Sequence, residues 1–348
     1  MTTGYFHRVT AQSPTRFWIN NPTREEARLS IAAGAVNCTT NPTYAMKQIQ
    51  REEDLALRIV DRAIQETASD ARAAEWVQRE LARPILEAFL PLFERNPGRE
   101  GFVSIQGSPL LEDDGAYIVE EAMRNRRAGK NYIAKIPVTA PGLQAIDTLV
   151  REDIPVIATE VMGIAQAIAA CEVYQRASAA SGKRPAFFVT HITGILDEYL
   201  QELVRCEGID VSPDALWQAG CIVARKQYRI LQERRYPGIM LGGGARGLHH
   251  FTEMVGGEVH VTINWVGTAD RLIESDPPVV YRMFCPAPQR VIDELLEKLP
   301  DFGRAYREDG LRIDEFASFG PVELFRNSFI RGWEFLLQTI RARRTYRS

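Results

Sequence analysis

Residues 131–143 read NYIAKIPVTAPGL, an apolar run that ends in a short turn. A continuous apolar run of this length is typical of a parallel strand covered on both faces, because such strands do not alternate apolar and polar residues. Lys135 stands in the middle of the run. A lysine in that place needs a physical reason, since a buried ammonium group loses its hydration.

The same unit recurs along the chain, because eight apolar runs alternate with amphipathic helical patterns. The runs are RFWIN (16–20), AVNCTT (35–40), GFVSIQG (101–107), NYIAKIPV (131–138), IPVIATEV (154–161), PAFFVTHI (185–192), GIMLGGG (238–244) and VHVTINW (259–265). Eight such strands with intervening helices predict an α/β fold of the (β/α)8, or TIM, barrel type.

Two segments exceed the simple strand-helix unit. Residues 44–100 predict a helical insertion after the second strand, and residues 266–348 predict a helical C-terminal extension. The sequence has no low-complexity linker, so we expect one domain over residues 1–348. The arginine-rich end, RARRTYRS (341–348), is interpreted as a solvated tail after the last helix.

Composition limits the kinds of partner. With 348 residues, 45% hydrophobic, and a formal net charge of -3, the chain predicts a folded protein without a basic surface for nucleic acid. No segment predicts a membrane span or a signal peptide, so we expect a cytoplasmic protein. The five cysteines form no CxxC pair, and neither a disulfide framework nor a zinc site is expected. A small molecule is the expected partner, and a homo-oligomer stays open.

Two interpretations of Lys135 follow from its position. If the side chain points into the barrel, desolvation lowers its pKa and frees an amine that can form a Schiff base with a ketone. If it points outward, it snorkels or pairs with a carboxylate of a covering helix. The strand pattern alone does not decide between the two.

Several motifs beside the lysine carry a resemblance to a known family. They are Lys135-Ile-Pro-Val-Thr139 followed by Gly142-Leu143 and Ala145-Ile146, Thr39-Thr40-Asn41-Pro42, Thr159 with AQAIAAC after it, and ITGILDEY (192–199). Together they resemble the transaldolase family, including its smaller fructose-6-phosphate aldolase branch, from about Arg16 to Trp265.

That resemblance implies a division of roles. Lys135 would form the Schiff base with a ketose or ketose phosphate, without a cofactor or a metal. Thr39 and Asn41 would bind hydroxyls of the dihydroxyacetone unit, and Thr159 would help to hold a catalytic water. Gln106 stands where transaldolases proper have a glutamate and where the aldolase branch has a glutamine.

The sequence departs from the family at the residue that moves protons. Asn20 stands where the family has an aspartate, and a carboxamide cannot act as an acid or a base at ordinary pH. His191 stands where the family has phenylalanine or tyrosine. Because an unperturbed histidine titrates near neutrality, we hypothesise that His191 lies beside Gln106 and Thr159 and takes over proton transfer. Glu160 follows Thr159 directly, so strict alternation directs it to the opposite face and predicts a structural role.

The candidate phosphate site also departs from the family. Arg246 matches a basic residue of the seventh loop, whereas Gly244 replaces a serine and Gly194 replaces a second arginine. We infer either that the donor or acceptor differs from the usual sugar phosphates, or that Arg246 holds a phosphate with help from backbone N–H groups of its loop. The alternative for Arg246 is a surface ion pair. The stretch GGGARG (242–247) also fits a dinucleotide motif, but its place after the seventh strand argues against a nicotinamide site.

The resemblance favours a transaldolase-like transferase of carbohydrate metabolism, in the pentose phosphate pathway. A fructose-6-phosphate aldolase-like lyase is the first alternative. A non-catalytic barrel that binds a sugar phosphate is the second, and Asn20 is the feature that supports it. The spacing of His249, His250 and His260 predicts no metal site.

Overall fold

The structure is a computed structural model that describes residues 4–347, with a closed barrel of eight parallel strands at its centre. The strands are β1 (Arg16–Asn20), β2 (Asn37–Thr39), β3 (Val103–Gln106), β4 (Tyr132–Pro137), β5 (Val156–Thr159), β6 (Phe187–His191), β7 (Ile239–Gly242) and β8 (Val259–Ile263). Each strand pairs with its neighbours in sequence, and β8 pairs with β1 to close the barrel. Every strand lies within one of the eight apolar runs, so the predicted (β/α)8 barrel is confirmed.

Strand register brings the carboxyl ends of β3, β4 and β5 side by side. Gln106 is the partner of Lys135, and Pro137 is the partner of Thr159. Side chains from these three strand ends therefore meet at one edge of the barrel mouth, where parallel barrels carry their functional groups.

Apolar side chains that lie in, or one residue before, seven of the eight strands fill the lower part of the barrel interior. The cluster consists of Trp18, Val36, Phe102, Ile133, Ile157, Phe188 and Leu241. Trp18 Nε1 donates a hydrogen bond to His260 Nδ1 at 2.8 Å, and burial lowers the pKa of His260 to about 3, so this ring is a neutral acceptor. Because the bottom is packed, only the carboxyl ends of the strands can hold a ligand.

Sixteen helices surround the barrel in the described part of the chain. They are α1 (Tyr5–Gln12), α2 (Arg24–Ala33), α3 (Tyr44–Arg51), α4 (Glu53–Glu66), α5 (Asp70–Arg95), α6 (Gly115–Asn125), α7 (Ala140–Arg151), α8 (Ile164–Ser181), α9 (Thr193–Glu207), α10 (Pro213–Trp217), α11 (Ala219–Glu233), α12 (His249–Thr252), α13 (Asp270–Ser275), α14 (Gln289–Lys298), α15 (Pro300–Tyr306) and α16 (Gly320–Arg347). Helices α3 to α5 form the predicted insertion after β2, and α13 to α16 form the predicted extension.

Helix α16 crosses the mouth of the barrel. It packs on α3, α4, α5 and α9, and Trp333 of α16 is fully buried beneath it. Gly332 permits the close approach, because a Cβ atom there would lie only 2.9 Å from Thr43 Cα. The extension therefore forms a roof over the end of the barrel that carries polar groups.

The interpretation of the arginine-rich end as a solvated tail is wrong for residues 341–347, because the helix continues through them. Arg343 bonds to Asp61 of α4 at 2.6 Å, and Arg344 bonds to Asp70 of α5 at 2.8 Å. The last turns of α16 are thus fastened to the insertion; Ser348 lies outside the described residues.

Within residues 4–347, no helix combines the length and the apolar character that crossing a membrane requires.

Replacement of Trp333 by alanine tests how firmly the roof is packed. We expect Trp333→Ala to lower the free energy of unfolding by about 3–5 kcal/mol, because it removes a buried aromatic side chain and leaves a cavity. Denaturant unfolding followed by circular dichroism measures the change. Glu334→Ala, on the exposed side of the same turn, should change the free energy by less than about 0.5 kcal/mol. A loss below about 1 kcal/mol for Trp333→Ala would contradict this packing.

Candidate active site

A cavity of about 480 Å³ lies at the carboxyl ends of the strands and under α16. Six of the residues proposed from the sequence line it: Asn20, Thr39, Asn41, Lys135, Gly244 and Arg246. From the roof, Phe325, Ser328, Phe329 and Arg331 also line it. The cavity is open to small polar molecules on one side and covered by aromatic rings on the other.

Lys135 points into this cavity, so the outward, snorkelling alternative is wrong. The residue is buried at 6% exposure, and burial lowers the pKa of its amine to about 8. Its Nζ lies 5.9 Å from the centre of the Phe329 ring. Among the described residues, no carboxylate is within ion-pair distance of Nζ. The amine is therefore desolvated without being fixed in a salt bridge, which favours its uncharged form.

Gln106, Thr159 and Glu160 surround the lysine from β3 and from the end of β5. Gln106 Nε2 donates a hydrogen bond to Glu160 Oε1 at 2.8 Å. Three buried oxygens of this group have no hydrogen-bond partner in the described structure: Gln106 Oε1, Thr159 Oγ1 and Glu160 Oε2. Buried polar atoms without partners are uncommon, and they are expected where water or a substrate binds.

The prediction that Glu160 faces away from the site is wrong. Its backbone has φ +61°, in the left-handed region, which ends the alternation of β5 and brings the carboxyl group to Gln106. The left-handed conformation costs a residue with a Cβ atom about 1–2 kcal/mol. Gln166 stabilises the turn, because its amide donates to the carbonyls of Val138 and Glu160 and accepts from the N–H of Met162.

The environment of Glu160 keeps its carboxyl group able to titrate near neutrality. Burial raises its pKa to about 7, against the opposing effect of the Lys135 charge. Glu112, in the loop after β3, is also buried, and burial raises its pKa well above the usual range. Arg326 of α16 is the cation that faces both carboxyl groups. The sequence analysis did not find Glu112 or Arg326, since neither belongs to a motif.

A second, much smaller cavity lies between β3, β4 and α6. Its volume is about 20 Å³, and its lining includes Gln106, Glu112 and Lys135. This volume is enough for one water molecule.

The hypothesis that His191 sits beside Gln106 and Thr159 is wrong in its geometry. Thr190 lines the mouth cavity and Phe188 faces the barrel interior, so alternation turns His191 toward the helices. Its Nδ1 lies 3.1 Å from Thr193 Oγ1, and burial lowers the pKa of the ring to about 3. A neutral, buried imidazole that faces away from the cavity cannot supply protons there.

The side-chain amide of Asn20 belongs to a hydrogen-bond network at the other side of the barrel mouth. Its Nδ2 donates to Asn264 Oδ1 at 2.9 Å, and its Oδ1 accepts from Thr39 Oγ1 at 3.0 Å. Thr39 Oγ1 also lies 2.6 Å from Thr262 Oγ1. This network presents hydroxyl and amide groups to the cavity but contains no acid.

Asn41 is oriented by its neighbours. Its Oδ1 accepts hydrogen bonds from Asn21 Nδ2 at 3.1 Å and from Thr43 Oγ1 at 2.7 Å. Because the oxygen is used, the amide nitrogen of Asn41 remains as a donor on the cavity side.

Arg246 lies at the cavity rim, where its guanidinium bonds to Glu198 at 2.6 Å. The N–H groups of Arg246 and Gly247 both donate to His250 Nδ1, at 3.0 and 3.1 Å. The expected help from loop N–H groups is therefore wrong for these two, because they are already bonded. His250 Nε2 in turn bonds to Asp197 at 2.8 Å, and this chain of bonds positions the loop that carries Arg246.

Close backbone packing explains why no side chain stands at Gly194. A Cβ atom there would lie 2.2 Å from the carbonyl oxygen of Gly244. Gly244 itself has φ +65°, and a Cβ on it would meet Ile192 at 2.6 Å. The two glycines permit the contact between the loops after β6 and β7, so an arginine at position 194 is excluded by geometry.

Two more cations line the cavity that the sequence analysis did not identify. Lys47 comes from α3 and Arg331 from α16. Within the described residues, neither makes a hydrogen bond or an ion pair with a carboxylate. Burial and the nearby charge of Arg246 lower the pKa of Lys47. Lys47 and Arg331, which have no matching acid among the described residues, and Arg246, which is paired with Glu198, together make this end of the cavity receptive to an anion.

One cluster of possible metal ligands occurs in the described residues, formed by Cys221, His249 and His250. His250 Nδ1 accepts two backbone N–H bonds, so its proton is on Nε2 and is donated to Asp197. That tautomer leaves no lone pair of His250 for a metal. None of the three residues lines the mouth cavity.

Comparison with known proteins agrees with this geometry. The family model for transaldolase/fructose-6-phosphate aldolase matches residues 17–276. The transaldolase of Thiobacillus denitrificans is 31% identical over 177 residues, which is 49% of this chain and 48% of that protein. The transaldolase of Neisseria gonorrhoeae is 28% identical over 212 residues, 55% of this chain and 59% of that one. The match spans about half the length of these curated relatives.

Among solved structures, 2,3-dimethylmalate lyase aligns over 85% of this chain and 96% of its own, with a TM-score of 0.32 and 9% identity. A likeness this weak adds nothing to the assignment. The family match covers most of the chain and includes all eight strands except the first residue of β1. The chain belongs to the transaldolase/fructose-6-phosphate aldolase family.

Proposed function

We propose that the protein is a transaldolase-like transferase that moves a dihydroxyacetone unit from a ketose or ketose phosphate to an aldehyde through a Schiff base on Lys135. The observation that carries the proposal is the buried, unpaired amine of Lys135 at the wall of a polar cavity. Burial disfavours the ammonium form, and an uncharged amine is the nucleophile that imine formation needs. The family match supports the reaction class.

The reaction starts at the ketone carbon of the donor. The Lys135 amine forms a C–N bond to that carbon while the oxygen gains a proton, and loss of the oxygen as water leaves an iminium. The bond between C3 and C4 then breaks. Its electron pair moves toward the iminium to give an enamine, and the C4 hydroxyl loses its proton as the aldehyde leaves.

Transfer reverses these bond changes on a second aldehyde. The enamine carbon forms a bond to the aldehyde carbon, and the aldehyde oxygen takes up a proton. Addition of water to the new iminium, followed by loss of the amine, releases the product ketose and restores Lys135.

Polar groups of the cavity fit the two ends of such a donor. The hydroxyl of Thr39 and the amide nitrogen of Asn41 are placed to bind hydroxyls of the dihydroxyacetone unit. At the other end, Arg246, Lys47 and Arg331 form the cationic region that we assign to a phosphate. Two of these cations come from the helical insertion and the roof, and they offset the arginine that Gly194 excludes.

Fructose-6-phosphate aldolase-like cleavage is the second candidate. Gln106 matches the glutamine that the aldolase branch has at this position. Its Oε1 and the Oγ1 of Thr159 have no hydrogen-bond partner in the described structure, and both suit a bound water that could hydrolyse the intermediate. The aromatic roof of Phe325 and Phe329 favours transfer instead, since it reduces access of bulk water to the enamine.

Borohydride trapping tests the Schiff base. After incubation with fructose 6-phosphate or dihydroxyacetone, reduction should leave a covalent adduct on Lys135 that peptide mass spectrometry locates. Lys135→Met should give no adduct and no turnover. Lys130→Met is the matched control, because Lys130 is exposed and pairs with Glu94. An adduct that persists in Lys135→Met would contradict the proposal. If the adduct is on Lys135, turnover measured with added acceptor aldehydes separates transfer from cleavage.

The rate of adduct formation should depend on pH in one direction. Because the amine is neutral only above its pKa of about 8, the rate should rise about tenfold for each pH unit below pH 7 and level off above pH ~9. Quenched reduction at short times measures this rate. A midpoint at the ordinary lysine value of 10.5 would show that the amine is not desolvated.

Arg246→Ala tests the assigned phosphate end. Loss of a charged hydrogen bond worth about 1.5–3 kcal/mol should lower kcat/KM for fructose 6-phosphate about 10- to 100-fold, mainly through KM. The kcat/KM of Arg246→Ala for unphosphorylated fructose or dihydroxyacetone should stay within about threefold of that of the unchanged protein, since these donors lack the phosphate. Equal losses for both kinds of donor would place Arg246 outside phosphate binding.

A further inference from the structure

The proposed reaction lacks an obvious proton carrier at the first strand. The C4 hydroxyl must lose a proton during cleavage, and the acceptor oxygen must gain one. Asn20 cannot exchange it, because an amide has no proton affinity in the working range and both its ends are bonded to Asn264 and Thr39. His191 faces away from the cavity. Another group beside Lys135 must therefore carry the proton.

Two buried carboxyl groups lie near the lysine, and their surroundings differ. Glu160 is held by Gln106 through one oxygen, while its other oxygen is buried without a partner next to Thr159 in sequence. Glu112 lies in the loop after β3, where its carboxyl group is also near Gln106. The negative charge of Glu160 raises the pKa of Lys135 more than the charge of Glu112 does. The hydrogen bond that Glu160 accepts from Gln106, the strand partner of Lys135, therefore favours Glu160.

We propose that Glu160 is the acid–base residue of this active site and performs the proton transfers that Asn20 cannot. The inference rests on the proposed function. It is carried by the left-handed turn at Glu160, the oriented carboxyl group, and the three unpartnered oxygens beside Lys135. The unfavourable backbone conformation of Glu160, which Gln166 holds and which brings the carboxyl group to Gln106, is a feature that indicates function.

The proton path uses a water molecule. Thr159 Oγ1 and Gln106 Oε1 are free to bind it, and Glu160 Oε2 is free to exchange a proton with it. During cleavage the C4 hydroxyl gives its proton to this water, which passes one to the Glu160 carboxylate. In the transfer step the proton returns by the same path to the acceptor oxygen. The carboxyl group thus ends the cycle in the state in which it began.

The charged groups around Glu160 keep both of its states accessible. Lys135 on β4 and Arg326 on α16 favour the carboxylate, whereas burial favours the acid. Burial, and after it the negative charge of Glu160, raise the pKa of Glu112 in the loop after β3 well above the usual range. A base in this setting can be unprotonated before cleavage and protonated after it.

Glu160→Gln separates proton transfer from Schiff-base formation. The amide keeps the shape and can still accept the bond from Gln106. We expect borohydride trapping on Lys135 to persist, while kcat for transfer or cleavage falls about 10²- to 10⁴-fold and the acid limb of its pH profile disappears. Loss of the neighbouring negative charge should also move the midpoint of adduct formation to lower pH.

Glu112→Gln is the matched control. It replaces the other buried carboxyl near Lys135 with an amide of the same shape, and because the proposed proton path does not include Glu112 we expect kcat to stay within about threefold. Circular dichroism and thermal unfolding of both variants establish that they fold. If Glu160→Gln misfolds, Glu160→Asp provides the second test, with the acid limb retained but kcat reduced.

The outcomes distinguish the two proposals. A folded Glu160→Gln protein could keep its acid limb and a kcat within about threefold of the unchanged protein. That result would overturn the role of Glu160 but not the Schiff base on Lys135. A parallel loss of trapping and turnover would also overturn it, because Glu160 would then support the lysine rather than the cleavage. Absence of any Lys135 adduct in the unchanged protein would instead overturn the proposed function itself.

Discussion

Desolvation of a single amine is the constraint on which the site depends. Lys135 occupies a strand position whose lower neighbours are packed with apolar side chains and whose upper side is covered by the Phe329 ring. No carboxylate pairs with it among the described residues, so the charges of Glu160 and Glu112 offset burial only in part and its pKa falls. The polar groups of β3 and β5 then matter because they are arranged around a nitrogen that can act as a nucleophile.

Much of this arrangement could be predicted because it follows from strands. The apolar runs predicted the eight strands and their two-residue periodicity, and the family motifs singled out Lys135, Thr39 and Thr159; of these, Lys135 and Thr39 line the cavity. Prediction failed where that periodicity stops. Glu160 lies one residue beyond β5, and its positive φ reverses the expected direction. A carboxyl group at the end of a barrel strand was the signal that could have identified it.

Other failures came from long-range packing. His191 was assigned by family position, although alternation from Phe188 places Thr190 at the cavity. Arg331 and Phe329 belong to a helix almost 200 residues after Lys135 in the chain, and no local pattern states which face of that helix meets the barrel. The arginines at its end depend likewise on acids in α4 and α5. Such contacts follow from the assembled fold.

The roof also has a consequence for how the protein is made. All eight strands precede α16 in the chain, so a nascent barrel can close while the helix that covers it is still being translated. Before α16 docks, the side of Lys135 that Phe329 covers would be open to solvent, and hydration would favour the charged form of its amine. Reactivity toward carbonyl compounds would thus begin only when the last helix of the described chain has docked on the finished barrel.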